Sequence, residues 1–160
     1  TQRIEEANKF AEENGMEPIR ISQINYSLAH SSVETFGDNT LVCMDTKEFR
    51  WYKKHDFPVM AFSPQAKGFF AKLAKGDAAN NLPEGQYAGP ANLARLAKVK
   101  QLSEQTGDTP AKITLGYLNS QPFFVSSVFA VTKLWQLDED MEAQDLTYDP
   151  KTVAFLENMI

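Results

Sequence analysis

Apolar and polar positions change period several times along this chain, and each change marks a predicted element. Gln2 to Asn14 carries Ile4, Ala7, Phe10 and Ala11 on one helical face. Glu5 and Glu6 sit near the positive N-terminal end, Thr1 is a candidate cap and Gly15 a terminator. From Pro18 to Leu28 the period shortens to two. Ile19, Ile21 and Gln23 alternate with Arg20 and Ser22, which predicts a strand with a polar C-terminal end, Gln23 to Ser27. His30 to Met44 is polar, turns at Gly37-Asp38-Asn39 and reads as a loop. Asp45 with Glu48 opens a helix, Thr46 to His55, with Phe49 and Tyr52 (or Trp51) facing inward. The apolar run Val59 to Phe62 predicts a second strand, feeding a polar, glycine-bearing loop, Ser63 to Gly68.

Phe69 and Phe70 are followed by a Lys/Ala run and then Asp77 to Gly85, rich in Asn, Pro and Gly. Residues 72–89 are therefore expected to form a flexible loop. Leu93, Leu96, Val99 and Leu102 are in register on a predicted helix from Pro90 to Thr106, which Gly107 ends. Thr109-Pro110 starts another helix, with Ile113, Leu115 and Leu118, that stops before Pro122. Phe123 to Ala130, broken by Ser126-Ser127, reads as a buried parallel strand. Helices follow from Lys133 to Ala143 and from Asp149-Pro150 through Met159, the last with Val153 and Leu156 inward. Strands alternating with helices predict an α/β fold with about three parallel strands, both sheet faces covered, in a single domain over residues 1–160.

Composition narrows the function. A chain of 160 residues is enough for one domain with its own core. Its formal charge of -5 gives no bulk attraction to nucleic acid or to an anionic membrane. A single cysteine, Cys43, rules out an internal disulfide and a Cys-rich zinc site, in keeping with a reducing, cytoplasmic setting. No apolar run reaches the roughly 18 residues of a membrane span. His30 and His55 lack metal-ligand spacing, and Asp138, Glu139, Asp140 and Glu142 read as a solvated helix face, so no metal site is expected.

Arg3 to Asn8, Ser22 to Ser27, Val59 to Phe69 and Thr109 to Pro122 are four stretches that, in this order, resemble the aldo-keto reductases. Arg3-Ile4-Glu5-Glu6-Ala7-Asn8 is similar to the helix after that family's fifth barrel strand. Ser22-Gln23-Ile24-Asn25-Tyr26-Ser27 is similar to its sixth strand. Val59-Met60-Ala61-Phe62-Ser63-Pro64-Gln65-Ala66-Lys67-Gly68-Phe69 resembles its V-x-A-[YFW]-S-P-L-A-x-G. Thr109-Pro110-Ala111 and Leu118-Asn119-Ser120-Gln121-Pro122 resemble its TPAQ and SQP signatures. The resemblance covers nearly the whole chain and implies the C-terminal half of a TIM-type (β/α)8 barrel, which needs about 250 residues when complete. The family's catalytic Asp, Tyr, Lys and His come from its first four strands, so the resemblance assigns no catalytic residue here.

The resemblance implies a nicotinamide dinucleotide, NADPH ahead of NADH. Gln23 corresponds to the amide that meets the nicotinamide carboxamide. Phe62 corresponds to the aromatic under the nicotinamide ring. Ser63, Pro64, Gln65 and Gly68 correspond to the loop around the pyrophosphate, with Gln65 in place of the usual Leu. The family's last cofactor segment, G-x-x-S-x-x-[RQ]-L-x-E-N, is matched by Gln136 and Glu139. Ala130, Lys133 and Asp140 replace its Gly, Ser and Asn. Lys133 is then the basic group offered to a 2′-phosphate.

Three readings follow. The chain is the NADP(H)-binding portion of a carbonyl reductase, inactive without a complementary N-terminal half. Alternatively it is a catalytically silent half-barrel that self-associates or docks on another protein through open sheet edges. The third is a truncated relic of an ordinary reductase.

Overall fold

The computed structural model describes residues 1–76, 86–87 and 89–157. Among these, three strands form one parallel sheet in the order β1-β2-β3: β1 (Ser22–Asn25), β2 (Val59–Phe62) and β3 (Val125–Val128). The helices are α1 (Gln2–Glu13), α2 (Val33–Phe36), α3 (Thr46–His55), α4 (Phe69–Ala74), α5 (Pro90–Thr106), α6 (Pro110–Asn119), α7 (Leu134–Met141) and α8 (Pro150–Leu156). Parallel pairing needs a crossover between strands, and α3 and the α4–α5–α6 run supply the two crossovers.

Several helix starts follow from local chemistry. The Asp45 carboxylate accepts from the Glu48 amide at 2.7 Å, and the Thr109 hydroxyl accepts from the Lys112 amide at 3.3 Å ahead of Pro110. Asp149 accepts from the amides of Lys151 and Thr152. Gly15 and Gly107 take the left-handed conformation after α1 and α5. Thr1 does not cap α1 with its side chain. Its hydroxyl instead donates to the Glu48 carboxylate at 3.2 Å, tying Thr1 to α3.

The core lies on one side of the sheet. Ile24, Val59 and Ala61 point into it and meet Tyr52, Phe69, Phe70, Val99, Ile113, Leu118 and Phe123. Tyr52, Phe49 and Tyr26 surround the Phe123 ring with centroids 5.4–6.5 Å away; such pairs add about 0.5–1.5 kcal/mol each beyond burial. On the other side Gln23, Met60, Phe62, Ser126 and Val128 stay exposed or half-exposed. The expectation of two covered faces is therefore corrected: among the described residues, the helices pack one face only.

Other boundaries differ too. β1 begins at Ser22, because the two Asn8 side-chain hydrogen bonds to the Ile19 backbone occupy the groups a ladder would use, leaving Ile19 and Ile21 exposed. β3 is a half-exposed edge strand rather than a buried one, and Phe124 is 63% exposed. The polar loop 30–44 contains α2, capped by Ser32, and a bridge from Cys43 to Asn25. Within the expected flexible stretch 72–89, Lys72 to Ala74 complete α4, and Gln86 and Tyr87 are buried. Residues 77–85 and 88 lie outside the described residues, as do 158–160 at the end of the last predicted helix.

Candidate functional site

The loop after β2 begins with backbone that few side chains favour. Ser63, Ala66, Lys67 and Gly68 all have positive φ (53°, 50°, 56° and 79°). Only glycine takes this region without strain, so three of the four residues here cost conformational energy that the surroundings must offset. The loop is pinned by its own hydrogen bonds, Ala66 amide to Ser63 carbonyl at 2.9 Å and Gly68 amide to Gln65 carbonyl at 2.8 Å. Buried Pro64 and Ala66 anchor it below.

This loop and α4 form one wall of a cleft of about 480 Å³. The segment Phe129–Thr132 and α7 form the facing wall, and Ala111 and Thr114 of α6 lie at its base. Of the ten candidate cofactor residues, Gln23, Phe62, Ser63, Pro64, Gln65, Gly68, Lys133, Gln136, Glu139 and Asp140, six line it: Pro64, Gln65 and Gly68 on one side, Gln136, Glu139 and Asp140 on the other. Two of them already meet. The Gln65 amide donates to the Asp140 carboxylate at 2.6 Å across the cleft, joining residues 75 apart in the chain. Asp140 is 5% exposed. Burial pushes its carboxyl upward, the Gln65 hydrogen bond opposes that shift, and neighbouring Glu139 adds to it.

Gln136 has a local task as well. Its carbonyl oxygen accepts from the amides of Thr132 and Lys133 at 3.1 and 3.0 Å, which closes the first turn of α7. Lys133, the residue just before α7, is exposed and does not line the cleft. Gln23, Phe62 and Ser63 also lie outside it. Gln23 stands in register with Met60, and Phe62 with Asn25 and Val128, so Gln23 and Phe62 share the open face of the sheet on adjacent strands. The ten residues thus divide between the cleft, the open sheet face, the surface before α7 and, for Ser63, the start of the strained loop after β2.

Three lysines and a tryptophan of the cleft carried no signal in the sequence motifs. Lys67, Lys72 and Lys75 line the wall opposite Glu139 and Asp140. Lys67 donates to Gln86 at 2.8 Å, and the Lys75 ammonium lies 5.1 Å from the centre of the Trp135 ring. The three-residue spacing of Lys72, in α4, and Lys75, just after it, is a signal that the Lys/Ala run contained. Trp135 is 54% exposed and lines the cleft. No group of three or more His, Cys, Asp or Glu arranged to hold a metal occurs among the described residues. No helix among them is long and apolar enough to cross a membrane.

Comparison with known proteins sets this chain in a family. The fold is similar to a crystal structure of a thermostable aldo-keto reductase, Tm1743, in complex with the inhibitor epalrestat. The TM-score is 0.60 at 14% identity, over 95% of this chain and 44% of that one. The chain therefore spans less than half the length of that structural relative. The family model for the aldo/keto reductase family matches residues 1–160. The chain belongs to the aldo/keto reductase family.

Proposed function

We propose that this chain is the NADP(H)-binding C-terminal portion of an aldo-keto reductase and is inactive by itself. In the complete enzyme a carbonyl is reduced by direct hydride transfer from the dinucleotide, with the general acid supplied by the N-terminal half. The observation that carries the reading is the cleft, where the pyrophosphate-loop residues Pro64, Gln65 and Gly68 face Gln136, Glu139 and Asp140. In this reading the loop amides receive the pyrophosphate, and Glu139 and Asp140 accept from the adenine amino group. The nicotinamide reaches over the sheet end to Phe62 and Gln23 on the open face. The Gln65–Asp140 bond spans the path and must open or shift as the dinucleotide enters.

The test is reconstitution. Co-expressed with an N-terminal half carrying the family's Asp, Tyr, Lys and His, the chain is expected to consume NADPH with a simple aldehyde; alone it is expected not to. A folded complex without turnover would sink the proposal.

A second reading is favoured by one observation. Phe124, just before β3, and Val128, at its end, are exposed, and β3 pairs only with β2 among the described residues. An edge of this kind suits a silent module that associates through its sheet. A compact monomer in sedimentation would remove the basis for that reading.

A further inference from the structure

We propose that Lys75, and not Lys133, recognises the adenosine 2′-phosphate, with the Trp135 ring beside it. The inference rests on the dinucleotide-binding reading above and assigns the group within it that tells NADPH from NADH.

Placement comes first. Lys133 is exposed before α7 and lines no part of the cleft, whereas Lys75 and Trp135 both do. Lys75 follows the last residue of α4, and its ammonium sits over the Trp135 ring at 5.1 Å. A lysine tip is otherwise flexible, and ordering it costs up to about 2 kcal/mol of rotamer freedom. The ring holds the tip at the cleft before any ligand arrives, which lowers the cost of ordering it on binding.

Charge points the same way. The ion pairs among the described residues leave Lys75 and Lys72 without a carboxylate within 4 Å. Lys67 is engaged with Gln86, and Lys72 lies along Gly68, its Cε 3.3 Å from where a Cβ on that glycine would be. Lys72 therefore belongs to the loop end of the cleft. Lys75 is the ammonium at the Trp135 end. Glu139 lies one helical turn beyond Trp135, so the α7 wall runs from a flat aromatic to carboxylates. An adenosine with a 2′-phosphate fits that polarity: phosphate to the ammonium, amino group to the carboxylates. NADH lacks the phosphate and gains nothing from Lys75, so the contact discriminates rather than merely adds affinity.

The experiment is calorimetric titration of the purified chain with NADPH and with NADH, for the wild type, Lys75→Gln and Lys133→Gln. Lys75 is at the surface end of a helix, so the substitution leaves the core intact. Lys75→Gln is expected to weaken NADPH about tenfold, the effect of losing one charge-assisted contact, and to leave NADH within twofold. Lys133→Gln is expected to leave both unchanged. Unaltered NADPH binding in Lys75→Gln would overturn the assignment, as would an equal loss for both nucleotides, which would place Lys75 on the pyrophosphate. Wild-type chain that binds neither nucleotide would overturn the underlying dinucleotide reading along with it.

Discussion

Asn92 shows how one polar side chain sets local structure. It is 3% exposed. Its oxygen accepts from the His30 amide at 2.7 Å, and its nitrogen donates to the carbonyls of His30 and Tyr87, each at 2.8 Å. One side chain thus satisfies three backbone groups from two loops that have no ladder of their own. Asn92→Ala is expected to cost about 2–3 kcal/mol, since buried backbone groups are left without partners; a urea midpoint within 0.2 M of wild type, at the usual slope of about 1–3 kcal/mol per M, would refute this. The apolar pattern put Leu93 inward, but Leu93 is 52% exposed. Counting apolar side chains does not register the demand of nearby loops for a hydrogen-bonding partner. The strained loop after β2 is similar. Gly68 announces a left-handed turn, whereas nothing in Ser63, Ala66 or Lys67 does, because their conformation is imposed by the loop's own hydrogen bonds and by burial of Pro64 and Ala66.

Helices with strong end signals were legible in the sequence. Asp45, Thr109-Pro110 and Asp149-Pro150 mark the starts of α3, α6 and α8, and all three cap as their chemistry predicts. The short helices α2 and α4 were not legible, because four or six residues hold too little periodicity to separate a helix from a loop. Strand β1 was over-extended for the opposite reason: alternation at Ile19 and Ile21 persists outside the ladder. The packing of α6 is also invisible in the pattern. A Cβ at Gly116 would lie 2.9 Å from Leu146 Cγ and Tyr148 Cε2, so the helix presses directly on the segment that follows α7. Gly116→Ala gains up to about 1 kcal/mol of helix propensity but pays about 1–3 kcal/mol for overpacking. The net expectation is a lower thermal midpoint; an unchanged or higher one would mean that the segment yields freely.

Across the whole molecule, stability is graded by the one-sided sheet. β2 is flanked by both other strands, and Val59 and Ala61 are fully buried; β3 is half-exposed and pairs only with β2 among the described residues. Amide hydrogen exchange is expected to be slower over Val59–Phe62 than over Val125–Val128, since edge strands open at lower free energy; equal protection would indicate that something covers β3 in solution. The sequence by itself determined the family, the alternation of strands and helices, the parallel pairing and most of the long helices. Each of these depends on signals within a few residues of one another: caps, periods and motifs. Only the tertiary structure decided which matched residues converge. It brought Gln65 to Asp140 across 75 positions, put Lys75 over Trp135, set Gln23 and Phe62 on the open sheet face and left Lys133 outside the cleft. Those distances are set by how α4, α6 and α7 pack around the strand ends, and side-chain packing between elements far apart in the chain leaves no local period to read.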